Sequence, residues 1–84
     1  MVRMDARFTA ADSLSPDIAA RLAQHAARYK SQLSRECGDK NIQLGSLIGI
    51  LSMELYRGTR MIVIADGEDE ELAAEDIRLV LSGD

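Results

Sequence analysis

Residues 32–51, QLSRECGDKNIQLGSLIGIL, change their period partway along, and that change decides the fold. QLSREC (32–37) and NIQLG (41–45) are short runs flanking Gly38-Asp39, a turn pair that favours a tight hairpin and hence antiparallel strands. From Ser46 the spacing alters. SLIGILSMEL (46–55) is too densely apolar for another half-buried strand, so a short helix capped by Ser46 is expected, ended by Tyr56-Arg57-Gly58. One residue breaks the pattern: alternation from Leu33 to Cys37 turns Arg35 inward, and its aliphatic stem is expected to snorkel the charge out to water.

Outward from this stretch the periods are simpler. VRMDARF (2–8) places Val2, Met4, Ala6 and Phe8 on one side and Arg3, Asp5 and Arg7 on the other, a half-buried strand. SPDIAARLAQHAARY (15–29) opens as a helix, with Ser15 as cap, Pro16 in the first turn and Asp17 at the positive end. Ile18, Leu22, Ala26 and Tyr29 form its buried stripe, widened by Ala19 and Ala23. Arg21, Gln24, His25 and Arg28 fall on the wet side, and Asp17 and Arg21 are spaced for an ion pair. RMIVIA (60–65) is the most β-like run, and turning Met61, Val63 and Ala65 inward leaves Ile62 and Ile64 outward. Asp66-Gly67 ends it, and a last helix is expected over 69–81 with Ala73, Ile77, Val80 and Leu81 buried. The order β-α-β-β-α-β-α, in elements this short, predicts an α+β open-faced β-sandwich. It has a four-stranded antiparallel sheet with three helices on one face, in a single domain of residues 1–84.

Composition narrows the function. Hydrophobic residues make up 46% of the 84, enough for a folded globule and against disorder. No apolar run approaches the ~20 residues of a bilayer span, and the alternating start is unlike a signal peptide. No membrane partner is therefore expected. Cys37 is the only cysteine and His25 the only histidine, which leaves no internal disulfide and no standard zinc site. No metal and no cofactor is implied, and the reducing cytoplasm is the expected location. The net charge of -4 gathers in DGEDEELAAED (66–76), where a helix start welcomes acid. An acidic chain with two Tyr, one Phe and no basic run is not built for nucleic acid.

Several stretches together resemble the histidine-containing phosphocarrier (HPr) family of the bacterial sugar phosphotransferase system. LGSLIGILSM (44–53) is similar to the family's Ser-Ile-Met-Gly-Val-Met-Ser segment around a regulatory serine. QHAARY (24–29), Gly58 and ADGEDE (65–70) match further pieces in the same order and spacing. Aligned on QHAARY, the family's active-site motif Gly-Ile-His-Ala-Arg-Pro-Ala falls on Ser13 to Ala19. Ser15 then stands at the phosphoryl-accepting His, Asp17 at the phosphate-binding Arg and Ile18 at the Pro, so no catalytic residue is expected.

The chemistry of that site agrees. Imidazole forms an energetic phosphoryl bond near neutral pH, whereas a serine ester is easy to form and hard to pass on. Asp17 would repel the phosphate that a guanidinium attracts. His25, about ten residues further along, reads as a surface histidine.

Ser46 is the residue the resemblance keeps. In the family an ATP-dependent kinase/phosphorylase modifies this serine, and the product binds a catabolite-control transcription regulator. The resemblance implies Ser46 as a regulatory phosphorylation site with Leu47, Ile48 and Leu51 as an apolar docking surface. Arg21, Gln24 and Arg28 are candidate polar partner contacts. Gly45 departs from the pattern, standing where many members carry Lys. Loss of the histidine with retention of the serine is the logic of the catabolite-repression (Crh-like) type. The expected partners are proteins: HPr kinase/phosphorylase, a transcription regulator or other phosphotransferase components. A divergent phosphocarrier and a drifted paralogue acting as a scaffold are the alternatives. Outward Ile62 and Ile64 leave the chain a monomer or a weak homodimer.

Overall fold

Cys37 pairs with Lys40 across Gly38-Asp39, and Gly38 takes φ +63°, a value glycine adopts without the cost a side chain would bring. The computed structural model in which this hairpin is seen describes residues 1–83; Asp84, the last residue of the expected domain, lies outside them. Its elements are β1 (Val2–Arg7), α1 (Pro16–Ala26), β2 (Gln32–Cys37), β3 (Lys40–Gln43), α2 (Leu47–Leu51), β4 (Arg60–Asp66) and α3 (Glu70–Ser82), in the expected order. The sheet is fully antiparallel with strand order β1-β4-β2-β3. The three helices cover one face, an open-faced sandwich. Phe8, Leu22, Leu44, Ile50, Leu55, Val63, Ile77, Val80 and Leu81 are fully buried between the layers. Each such side chain contributes roughly 1.5–3 kcal/mol of burial free energy.

The second helix is shorter than SLIGILSMEL suggested. It stops after Leu51, where the Ser52 hydroxyl donates to the Gly49 carbonyl at 2.7 Å and competes with the helical pattern. Met53 and Leu55 are then buried while Glu54 and Tyr56 are exposed, so the remainder alternates with the period of extended chain. The first helix ends at Ala26, three residues before Tyr29, in tighter turns with Arg28 and Tyr29 bonding back to His25 and Ala26.

Arg35 does not snorkel. It is 5% exposed, on the helix-covered face of β2 opposite Val63 and Ile42, and its Nε donates to Met53 Sδ at 2.9 Å. The chain after α2 crosses over the strand there and buries the stem, leaving only the Nη groups at a cavity between the two segments.

The open face also differs from expectation. Ile64 is only 8% exposed and Ile62 is half-buried. Strand β4 runs between β1 and β2, with Ile64 opposite Arg3 and Ser34, and Ile62 opposite Asp5 and Glu36. Arg3 Nη2 reaches Glu36 Oε1 at 3.2 Å, so an ion pair from the two flanking strands bridges β4 over its isoleucines. Asp17 and Arg21, spaced for an ion pair, are exposed and do not pair with each other; in full solvent such a pair gains little against side-chain entropy.

Candidate functional site

Ser46 precedes α2 in extended backbone (φ -112°, ψ 118°), and its Oγ accepts the Gly49 amide at 3.2 Å. The serine itself is exposed. Beyond it the five-residue helix turns one side chain inward, Ile50, and leaves three on the surface. Leu47 is 47% exposed, Ile48 83% and Leu51 53%. Core packing therefore accounts for Ile50 and not for the other three. An exposed hydroxyl beside exposed aliphatic side chains is what the site consists of.

The start of α1 is built as a cap. Ser15 has φ -105° and ψ 162°, its Oγ accepts the Ile18 amide at 3.3 Å, and Pro16 opens the helix. The loop before it is zipped to the segment following α2. Leu14 N donates to Leu55 O at 3.0 Å, Ser13 bridges Tyr56, and Arg57 Nε contacts Asp12 Oδ1 at 3.0 Å. Asp17 is exposed in the first turn. This helix start offers a hydroxyl and a carboxylate, with no imidazole or guanidinium between residues 13 and 19. Arg21, Gln24 and Arg28 are all exposed on α1, which packs beside α2.

His25 is not a plain surface residue. Its side chain is 21% exposed, and Nδ1 lies 3.0 Å from both Asp76 oxygens, across the α1–α3 contact. The Tyr29 hydroxyl donates to Asp76 Oδ2 at 2.6 Å. Partial burial disfavours the Asp76 carboxylate, but the hydrogen bonds from Tyr29 and His25 outweigh it and hold the group below its ordinary range. The same Asp76 bond pushes the Tyr29 phenol up. This network fastens helix to helix, and its members are 51 and 47 residues apart in sequence, so periodicity had no means of pairing them.

A second acid escaped the sequence reading in the same way. Asp69 stands before α3 but makes no side-chain bond to that helix. It accepts the Lys30 amide at 2.9 Å, the Ser31 amide at 3.0 Å and the Ser31 hydroxyl at 2.6 Å. The sequence placed it only at the acidic start of the last helix; its work is to hold the α1–β2 loop. Among the described residues no three His, Cys, Asp or Glu side chains gather to hold a metal ion, and no helix is long and apolar enough to cross a membrane.

Comparison with known proteins gives consistent matches over nearly the whole chain. The family described as "PTS HPr component phosphorylation site" matches residues 5–82. The phosphocarrier protein HPr of Borreliella burgdorferi is 31% identical over 77 residues, covering 92% of this chain and 90% of that protein. The HPr-like protein Crh of Bacillus subtilis is 36% identical over 59 residues, covering 70% of this chain and 69% of that one. Among solved structures, HPr-C-His from Thermoanaerobacter tengcongensis superposes with a TM-score of 0.84 at 26% identity, covering 100% of this chain and 98% of that one.

Proposed function

Because this chain belongs to the HPr family of the phosphotransferase system, whose members are phosphocarrier proteins and not catalysts, we propose that it serves that system as a regulatory module lacking the carrier step. In this reading a phosphate on Ser46 is the switch and protein partners in the cytoplasm are the readers. The observation that carries it is the pairing of an exposed Ser46 with exposed Leu47, Ile48 and Leu51 on one short helix. A kinase can reach such a hydroxyl, and a partner gains apolar area beside the new charge. The exposed Arg21, Gln24 and Arg28 extend the contact with polar groups. The helix start at Ser15 supports the other half of the reading: its hydroxyl is engaged as a cap, and Asp17 opposes an incoming phosphoryl group.

The test uses two phosphoryl donors. With ATP and an HPr kinase/phosphorylase, the Ser46 oxygen attacks the γ-phosphorus, ADP leaves and the hydroxyl proton is released. One acid-stable phosphate per chain is expected, and Ser46→Ala removes it. With phosphoenolpyruvate and Enzyme I, no acid-labile phosphate is expected. Acid-labile label at any residue, or acid-stable label that survives Ser46→Ala, overturns the reading.

A further inference from the structure

The cation that broke the strand pattern lies against an open cavity. Arg35 lines a space of about 440 Å³ together with Cys37, Lys40, Ile42, Ser52, Met53 and Glu54, between the β2–β3 hairpin and the chain leaving α2. The residue is 95% buried, and its one polar contact is Nε to the thioether of Met53. A thioether is a weak acceptor and brings no charge. Among the described residues no carboxylate stands within ion-pair distance of the guanidinium, although Glu54 lines the same cavity. No buried polar side-chain atom among the described residues lacks a hydrogen-bond partner, so the Nη groups, which have none, are those that meet the cavity's solvent.

We propose that this cavity is a binding site for a small oxyanion, the phosphate or carboxylate group of a metabolite, with the Arg35 guanidinium as its anchor. A guanidinium on a residue 95% buried and without a counter-ion is costly, and the surrounding positions would accept an aliphatic side chain. Its planar fork matches two oxygens of a phosphate or carboxylate, and charge-assisted bonds of that kind are strongest where water is sparse. Lys40 adds a second positive charge at the rim, Glu54 sets a limit on how much negative charge is accepted, and Ile42 and Met53 give a ligand's carbon skeleton an apolar wall. The volume falls within the range of about 300–1,000 Å³ typical of small-molecule sites. Met53 belongs to the segment leaving α2, so an occupant would touch the base of the helix that carries Ser46.

Inorganic phosphate, glycerol 3-phosphate, acetate and succinate are titrated against chloride at equal ionic strength, reading thermal midpoint and the Arg35 Nε–H resonance. The expected result is a saturable rise of about 5–10 °C at tenfold excess over Kd, with that resonance moving along the same isotherm. The relative saturation points of the phosphates and carboxylates identify the preferred group. Arg35→Leu, which suits its apolar neighbours, is expected to fold and abolish the response, and Lys40→Ala to weaken it several-fold. A rise equal to that in chloride, a response undiminished in Arg35→Leu, or no movement of the wild-type Nε–H resonance overturns the proposal. The last readout stands even if Arg35→Leu fails to fold.

Discussion

Single side chains fasten this molecule at points where two elements meet. Asp69 is the clearest, since one carboxylate serves two amides and a hydroxyl on the α1–β2 loop. The Ser31 hydroxyl first, and then the Lys30 amide, hold its carboxyl below the ordinary range of an aspartate. A carboxyl depressed in the folded state stabilises fully above its unfolded pKa and loses that contribution as pH falls through the folded one. Stability is therefore expected to decline as pH drops below about 4, with Asp69 and Asp76 both contributing. Asp69→Ala should lower the urea midpoint at pH 7 and flatten that acid limb. An unchanged limb would show that Asp69 is not one of the groups responsible. At the other clamp, Tyr29→Phe removes the 2.6 Å bond to Asp76 and should cost about 1 kcal/mol, measured by the same unfolding curves.

Elements are placed by which of their faces finds a partner. Helix α2 is too short to stand alone, and Ile50 is its one buried residue. Ile50→Ala should cost about 2–5 kcal/mol, whereas Ile48→Asp, on the exposed side, should stay within about 0.5 kcal/mol. Ile48→Asp should nevertheless weaken any partner that docks on this helix, and pull-down with phosphorylated protein would register the loss. The β4–α3 connection is tighter still. A Cβ added at Gly67 would lie 2.6 Å from the Ser31 Cα, a backbone atom that cannot turn aside. Gly67→Ala should destabilise by at least about 1–3 kcal/mol and disturb the Asp69 clamp next to it, which calorimetry and amide exchange at Ser31 would report.

Seen whole, the molecule keeps its apolar surface on the helical side and closes its sheet face with charge. The Arg3–Glu36 pair spans β4 and leaves Ile64 at 8% exposure, too little to drive association. Sedimentation at high micromolar concentration is expected to give a monomer. Arg3→Ala combined with Glu36→Ala uncovers both isoleucines and should shift the chain toward self-association, which Ile62→Thr with Ile64→Ser should leave absent. A dimer of the unaltered chain that persists with those isoleucine substitutions would place its contact elsewhere.

The strands and helices were legible because each advertises its period within a few residues: VRMDARF at two, the Ile18–Leu22–Ala26 stripe near four, and the hairpin at Gly38-Asp39. The cap at Ser46 was legible in the same way, whereas Leu47, Ile48 and Leu51 as surface residues came from the family resemblance and not from their period. The fastenings were not. Nothing local to Asp69, Asp76 or His25 names Ser31 or Tyr29 as a partner, because these contacts join segments far apart in sequence. Two residues have less solvent than their position in the strand suggested: Arg35 keeps only its Nη groups at a cavity, and Ile64, on the outward face as expected, is roofed by a neighbouring ion pair. Periodicity sets the side of an element a residue faces. Whether that side is open depends on which other segment crosses it, and for Arg35 and Ile64 only the packed chain decides.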